Sequence, residues 1–384
     1  MKTILLILAL FSLAPSGFGQ GTLTPPPGPP APTMKTLDQI EPRTIVNAAN
    51  TPGDAANGFI ISAPGSYYLT GNIAVAPGTH GISIQANDVT LDLNGFALIS
   101  GGGGAFIGVN VPVAQSGFCI RNGSVRGWGG GGVQAAAAVT LAEKLRLSDN
   151  VGAIGLAVGN GSMIKDCVAS GNATGFSAAD RTQISNCIST VNTGVGFNCA
   201  SYVTLFDCTS SRNVGNGIRT LASCSITRCT STRNLPSGAG IYTGAGCTVA
   251  DCTAGANGFD GIHVETGSIV RDCTSRANVA RGISANGGDC FITGNNCTGN
   301  NTGIQIESLA DIPGDRNRVE GNSCTSNVYD GFIINGVKNF IVRNNASGNP
   351  GNFSIPVGNA AGPVVDMSAG GTITSTNPWA NFIH

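Results

Sequence analysis

Apolar and polar positions recur along most of this chain as a block of about 21 to 24 residues, a period that belongs to stacked repeats rather than to one helix or one strand. Cysteine marks the block, at Cys167, Cys187, Cys208, Cys229, Cys252, Cys273, Cys297 and Cys324. Three residues before most of these stands a branched aliphatic (Ile164, Ile184, Leu205, Ile226, Val249, Val270), and five after stands asparagine (Asn172, Asn192, Asn213, Asn234, Asn257, Asn278). Glycine with a large apolar residue follows, as in Gly175-Phe176, Gly196-Phe197, Gly217-Ile218, Gly240-Ile241, Gly261-Ile262, Gly282-Ile283, Gly303-Ile304 and Gly331-Phe332.

Inward positions on a strand alternate with period two. An aliphatic and a cysteine three apart therefore both face inward only if the chain turns a corner between them. Asparagine suits a stacked turn, because it tolerates left-handed backbone angles and its amide can hydrogen-bond a like residue above and below. A unit of short strands and turns cannot bury its own apolar face and becomes stable by stacking on copies of itself. The predicted fold is all-β, a parallel β-helix of about twelve coils that at ~4.8 Å per coil spans roughly 55 to 60 Å. Leucine-rich repeats of similar length need several leucines per unit, and left-handed hexapeptide helices need a six-residue beat; this chain has neither.

Weaker copies at Gly81-Ile82-Ser83-Ile84, at Val89-Thr90-Leu91-Asp92-Leu93 and from Leu141 to Asn150 place the helix at residues 81–348. Residues 37–80 are expected to cap its first coil, with Phe59-Ile60-Ile61 and Tyr67-Tyr68-Leu69 as strands on either side of the Pro64-Gly65 turn. Residues 349–384 are expected to fold over the other end. Upstream, Lys2, the apolar run from Ile4 to Leu13 and the triplet Gly17-Phe18-Gly19 read as a signal peptide over residues 1–19. A Pro-rich linker over residues 20–36 follows. The expectation is an exported protein, periplasmic or extracellular, whose mature chain has no transmembrane segment.

Composition agrees with a turn-rich stack: 57 of 384 residues are glycine and only 11% are charged. With 20 basic residues, 21 acidic residues and no basic run, the chain lacks the electrostatic footprint of a nucleic-acid binder. Thirteen cysteines in an exported chain suggest disulfides, but the count is odd and the spacing is that of packed thiols, with Cys224, Cys247 and Cys290 as a partial second column. Coil neighbours lie within disulfide reach, so a few bridges stay open as an alternative. No Cys-x-x-Cys occurs, and His80, His263 and His384 are scattered, so no metal centre or cofactor is indicated.

The repeat resembles the pectin-lyase-like superfamily of right-handed parallel β-helices, over about residues 81–348. Three stretches, residues 34–43, Pro64-Gly65-Ser66-Tyr67-Tyr68-Leu69 and Asp88-Val89-Thr90-Leu91-Asp92-Leu93-Asn94-Gly95, resemble uncharacterised secreted bacterial β-helix proteins. So does Asn377-Pro378-Trp379-Ala380-Asn381-Phe382. The resemblance implies the fold and brings no catalytic set with it. The adjacent aspartates and Arg-x-Lys of polygalacturonases, the Arg-x-Pro of pectate lyases and the Asp-Pro-His-Glu of alginate epimerases are all missing, and only Thr79-His80-Gly81 is similar to a polygalacturonase element.

If each glycine-aliphatic pair starts a strand, the residue after the aliphatic points outward. That defines a column of Asn198, Arg219, Tyr242, His263, Ser284 and Gln305. The residue before each glycine adds Asp260, Arg281 and Asp330, and the position two beyond the column adds Glu265, Asn286 and Glu307. Carboxylates, guanidiniums, an imidazole and a phenol on one face suit a polysaccharide ligand and a lyase or hydrolase. Arg219, Tyr242, Asp260, His263, Glu265, Arg281, Gln305 and Glu307 are the candidate binding residues; an ordinary solvated sheet face is the competing reading. A non-catalytic structural or adhesion rod is the alternative for the whole protein. Asp166, Asn186, Asp207, Arg228, Asp251 and Asp272 form an outer corner column at which calcium could relieve like-charge repulsion, with solvation and local ion pairs as the plainer expectation. Gly127-x-Gly129-x-x-Gly132 matches a dinucleotide fingerprint in letters only, because it leads into another coil rather than a βαβ unit.

Overall fold

A computed structural model describes residues 42–102, 104–308 and 311–384 of the protein, so the expected signal peptide, the Pro-rich linker and the start of the expected cap lie outside the described residues. Every regular element among the described residues is a β-strand, and no helix there is long and apolar enough to cross a membrane. One coil shows the plan. Gln183–Ser185 lies in a first sheet and Ile188–Thr190 in a second, Phe197–Cys199 lies in a third, and Thr204–Phe206 is back in the first, one storey on. All neighbouring strands pair in parallel and in register, Ile184 with Leu205 and Ser189 with Ser210. Fourteen strands stack in the third sheet. That count exceeds about twelve because Asn57–Ile61 and Gly351–Ser354 also stack there, on either side of residues 81–348.

Each corner turns on a single left-handed residue: in this coil Asn186, Val191 and Tyr202, with φ of 51°, 56° and 59°. For a β-branched residue such as Val191 this conformation costs about 1–2 kcal/mol. Stacking offsets that cost. The residue after each corner points inward, and in the asparagine ladders, as at several of the thiol and serine positions, its backbone N–H is taken by the side chain of its counterpart one coil on. At the second corner ten asparagines, from Asn150 to Asn349, do this in an unbroken ladder, with N···Oδ1 distances of 2.9–3.1 Å. The sequence repeat marked six of these.

Sulfur serves the same purpose at the first corner, where Cys229 N donates to Cys252 Sγ at 3.4 Å. This column runs from Cys167 to Cys273 and then passes to asparagine, Cys273 N donating to Asn295 Oδ1 at 2.9 Å and the ladder continuing through Asn322, Asn344 and Asn381. Cys297 and Cys324 therefore do not belong to the eight-member column expected from spacing. They lie two residues further along, in register with Ser275 on the second sheet. A shift of two keeps a side chain inward, which is why the periodicity hid it. The third corner carries three further thiols, with Cys224 N donating to Cys247 Sγ and Cys290 N to Asn317 Oδ1.

Aliphatics fill the space between the corners, and Phe176 stacks on Phe197 with centroids 4.9 Å apart. All thirteen cysteines are free, and burial pushes the Cys199 and Cys324 thiols well above the ordinary thiol range. A thiol reagent added to the native protein should therefore reach at most Cys119, which alone among them is only half-buried, and should reach the rest after unfolding. Early labelling of several thiols would contradict the packed columns.

Candidate functional site

The register of the third sheet puts Asn198, Arg219, Tyr242, His263, Ser284 and Gln305 in one outward column, each paired with the next. Glu265, Asn286 and Glu307 form the parallel column two residues along. All eight candidate residues thus meet on the outer face of five successive coils. They are not equally exposed. Asp260, expected beside its glycine on a mixed surface, is completely buried, and so is Ser284; His263 is 7% exposed.

Arg281 buries them. Its side chain crosses the sheet, with Nε 2.9 Å from Asp260 Oδ1 and Nη2 3.2 Å from Oδ2, while Nη1 reaches Glu307 Oε1 at the far column. Ser284 lies beneath that bridge and donates to Glu307 Oε1 at 3.4 Å. Phe259 supports the guanidinium from the side, 5.4 Å from its ring centroid. Burial by itself would raise the Asp260 pKa, but hydrogen bonds from His263 and Arg281 outweigh it and hold the carboxyl below its ordinary value. Burial likewise opposes the charge on Arg281, and its contacts with Asp260 and Glu307 more than restore it.

His263 is oriented from two directions. Its Nδ1 sits 3.2 Å from Asp260 Oδ2, and the Tyr242 ring stacks on it at 4.6 Å between centroids with 2° between planes. An ionised carboxylate only accepts, so Nδ1 carries a proton, and in the neutral imidazole Nε2 presents a lone pair. Nε2 has no hydrogen-bond partner among the described residues. Tyr242 donates in turn to Glu265 Oε1 at 3.4 Å, and burial, with Glu265 beside it, raises the phenol's pKa. Shallow depressions flank the cluster, one of about 350 Å³ walled by Arg219, Leu221, Tyr242 and Glu265 and one of about 310 Å³ walled by Phe259, Arg281, Thr302 and Gln305.

The family model for the right-handed beta helix region matches residues 115–275 and again 221–377, together more than half of the chain. The chain belongs to this family. No curated protein matches this β-helix in sequence. Among solved structures it is similar to the A-module of the Azotobacter vinelandii mannuronan C-5 epimerase AlgE4, at 14% identity and a TM-score of 0.44 over 76% of this chain and 91% of that one. It is also similar to the periplasmic alginate epimerase AlgG, at 10% identity and 0.38 over 89% and 82%, and to the pectate lyase Pel9A, at 13% and 0.34 over 76% and 72%. At such identities none of their chemistry transfers to this β-helix.

Sequence reasoning placed the columns but not the bridge. Asp260 and Arg281 both precede the repeat glycine in adjacent coils, and opposite charges at one repeat position were the available signal for an ion pair. Asn286, whose Oδ1 is buried without a partner, gave no signal of its own. In the corner column, Arg228 grips Asp207 through two 2.8 Å contacts, Arg271 pairs with Asp272 at 3.1 Å and Asn186 donates to Asp166 at 3.4 Å. No three His, Cys, Asp or Glu side chains are grouped to hold a metal ion among the described residues.

Proposed function

We propose that the outer face of the third sheet binds an extracellular polysaccharide and cleaves it, with His263 as the group that moves a proton. One observation carries this reading: a buried carboxylate holds Nδ1 of a stacked imidazole while Nε2 has no protein partner among the described residues, between two depressions of the outer face. A purely structural rod has no need to bury Asp260 and then compensate it with Arg281 and His263. The polymer would lie along the coil axis, with sugar hydroxyls on the polar columns and ring faces against Tyr242, Leu221 and Phe259.

The test is binding and turnover on a panel of neutral and acidic polysaccharides, with and without calcium. His263→Ala should keep binding within a few-fold and lower turnover about 10²–10⁴-fold. Asp260→Asn should lower turnover less and move the pH profile; an unmoved profile would leave Asp260 a purely structural role. Arg281→Ala, which opens the roof over Ser284, should weaken binding. Full turnover in His263→Ala would remove the site from this face.

A further inference from the structure

We propose that the saccharide accepted by this face is uncharged, a hydroxyl-bearing polymer without carboxylate or sulfate groups; the proposal rests on the polysaccharide reading above. Charge is the first ground. Asp260, Glu265, Glu307 and Asp330 are set against Arg219 and Arg281, so the face is net negative with His263 neutral. The charge of Arg281 is offset by two carboxylates, with Nε and Nη2 on Asp260 and Nη1 on Glu307. Among the described residues of this face the cation left for a ligand is Arg219, whose Nη1 already donates to Asn198 Oδ1 at 3.3 Å.

Hydrogen-bond balance is the second ground and is independent of net charge. Around the imidazole and along the glutamate column, the charged and ring groups left over are acceptors. In the neutral imidazole whose Nδ1 proton faces Asp260, Nε2 of His263 offers a lone pair. Glu265 and Glu307 each spend Oε1 on the contacts described, and Oε2 of neither is engaged. Unfilled acceptors are satisfied by donors, and a sugar hydroxyl is a donor. A carboxylate or sulfate ester brings only further acceptors and a like charge, and in a half-buried setting that repulsion is several times larger than in water. An anionic polymer would therefore meet an unfavourable partner at each of these positions, whereas a neutral polyol meets its complement.

A matched pair of polymers isolates the effect: pectate and alginate against the same two polymers after chemical reduction of their carboxylates to alcohols. Binding to the full-length protein is measured by affinity electrophoresis and calorimetry, with and without calcium. The reduced polymer should bind at least about ten-fold tighter than its parent, and the variant Glu265→Gln should narrow the difference. A parent polyuronate that binds as tightly as its reduced form, in either calcium condition, overturns the neutral-ligand inference and leaves the saccharide reading standing. No binding to either form, nor to neutral glucans, mannans or galactans, overturns the saccharide reading itself and this inference with it.

Discussion

Replacing Gly217 by alanine should destabilise the protein by about 2–3 kcal/mol, although only one methyl group is added. A Cβ at this position would overlap Ser231 Oγ, Asn234 Nδ2 and the carbonyl oxygen of Gly240. Those atoms are themselves linked, since Ser231 Oγ donates to Gly240 O at 2.6 Å and accepts from Asn234 Nδ2 at 3.1 Å. The methyl group therefore disrupts a buried polar network as well as overpacking a core. Gly255→Ala is the control: a Cβ there would meet nothing closer than Arg276 Cγ at 3.5 Å, which is ordinary contact. Chemical unfolding should show a lower midpoint for the first variant and an unchanged or slightly higher one for the second. Equal losses at both positions would mean that the repeat glycine is there for chain flexibility, not for room.

Asn234→Ala carries the other large effect, on the order of 3 kcal/mol. Its Oδ1 accepts from both the backbone N–H and the Nδ2 of Asn213, at 3.1 and 3.0 Å. Truncation leaves the Asn213 N–H buried and unpaired, at about 1–3 kcal/mol, while Asn213 Nδ2 keeps Ser189 O and Ser210 Oγ; the lost bonds from Asn234 Nδ2 to Ser231 Oγ and Asn257 Oδ1, and the void left behind, add to that cost. Asn198→Ala removes the same atoms from the outer face, where the only partner lost is Arg219, and should change stability by no more than about 0.5 kcal/mol. Hydrogen exchange should locate the damage, with amide protection falling in the coils next to residue 234 rather than along the whole stack. Uniform loss would mean that the ladder behaves as one cooperative unit rather than as nearest-neighbour contacts.

The spiral plan was legible because its determinants are local and repeated. A branched aliphatic, a left-handed corner residue and an inward thiol within four residues recur coil after coil, and each copy confirms the others. Legibility ended where residue type changed while the role stayed the same. Asn295 performs at the first corner what Cys273 performs one coil earlier, so following the letter C led to Cys297, two residues out of register. The third corner is filled by Ser162, Cys224, Ser268 and Asn317 in turn, and only its cysteines stood out. On the outer face, strand alternation was enough to bring Tyr242, His263 and Gln305 together. The depth at which Asp260 sits was not legible, because burial there is imposed by the length of the Arg281 side chain crossing the neighbouring coil. Long side chains that reach over a sheet leave no mark in a period-two pattern.

The inward ladders also have a direction. Along both asparagine ladders the amide of one winding is received by a side chain of the winding that comes after it, from Asn150 to Asn349 at one corner and from Asn295 to Asn381 at another. Each storey is thus completed by its successor, and the solenoid is vectorial. While such a chain is being threaded out of a ribosome, its growing tip carries a row of unanswered donors, ready to accept the next storey and equally ready to accept a stray strand.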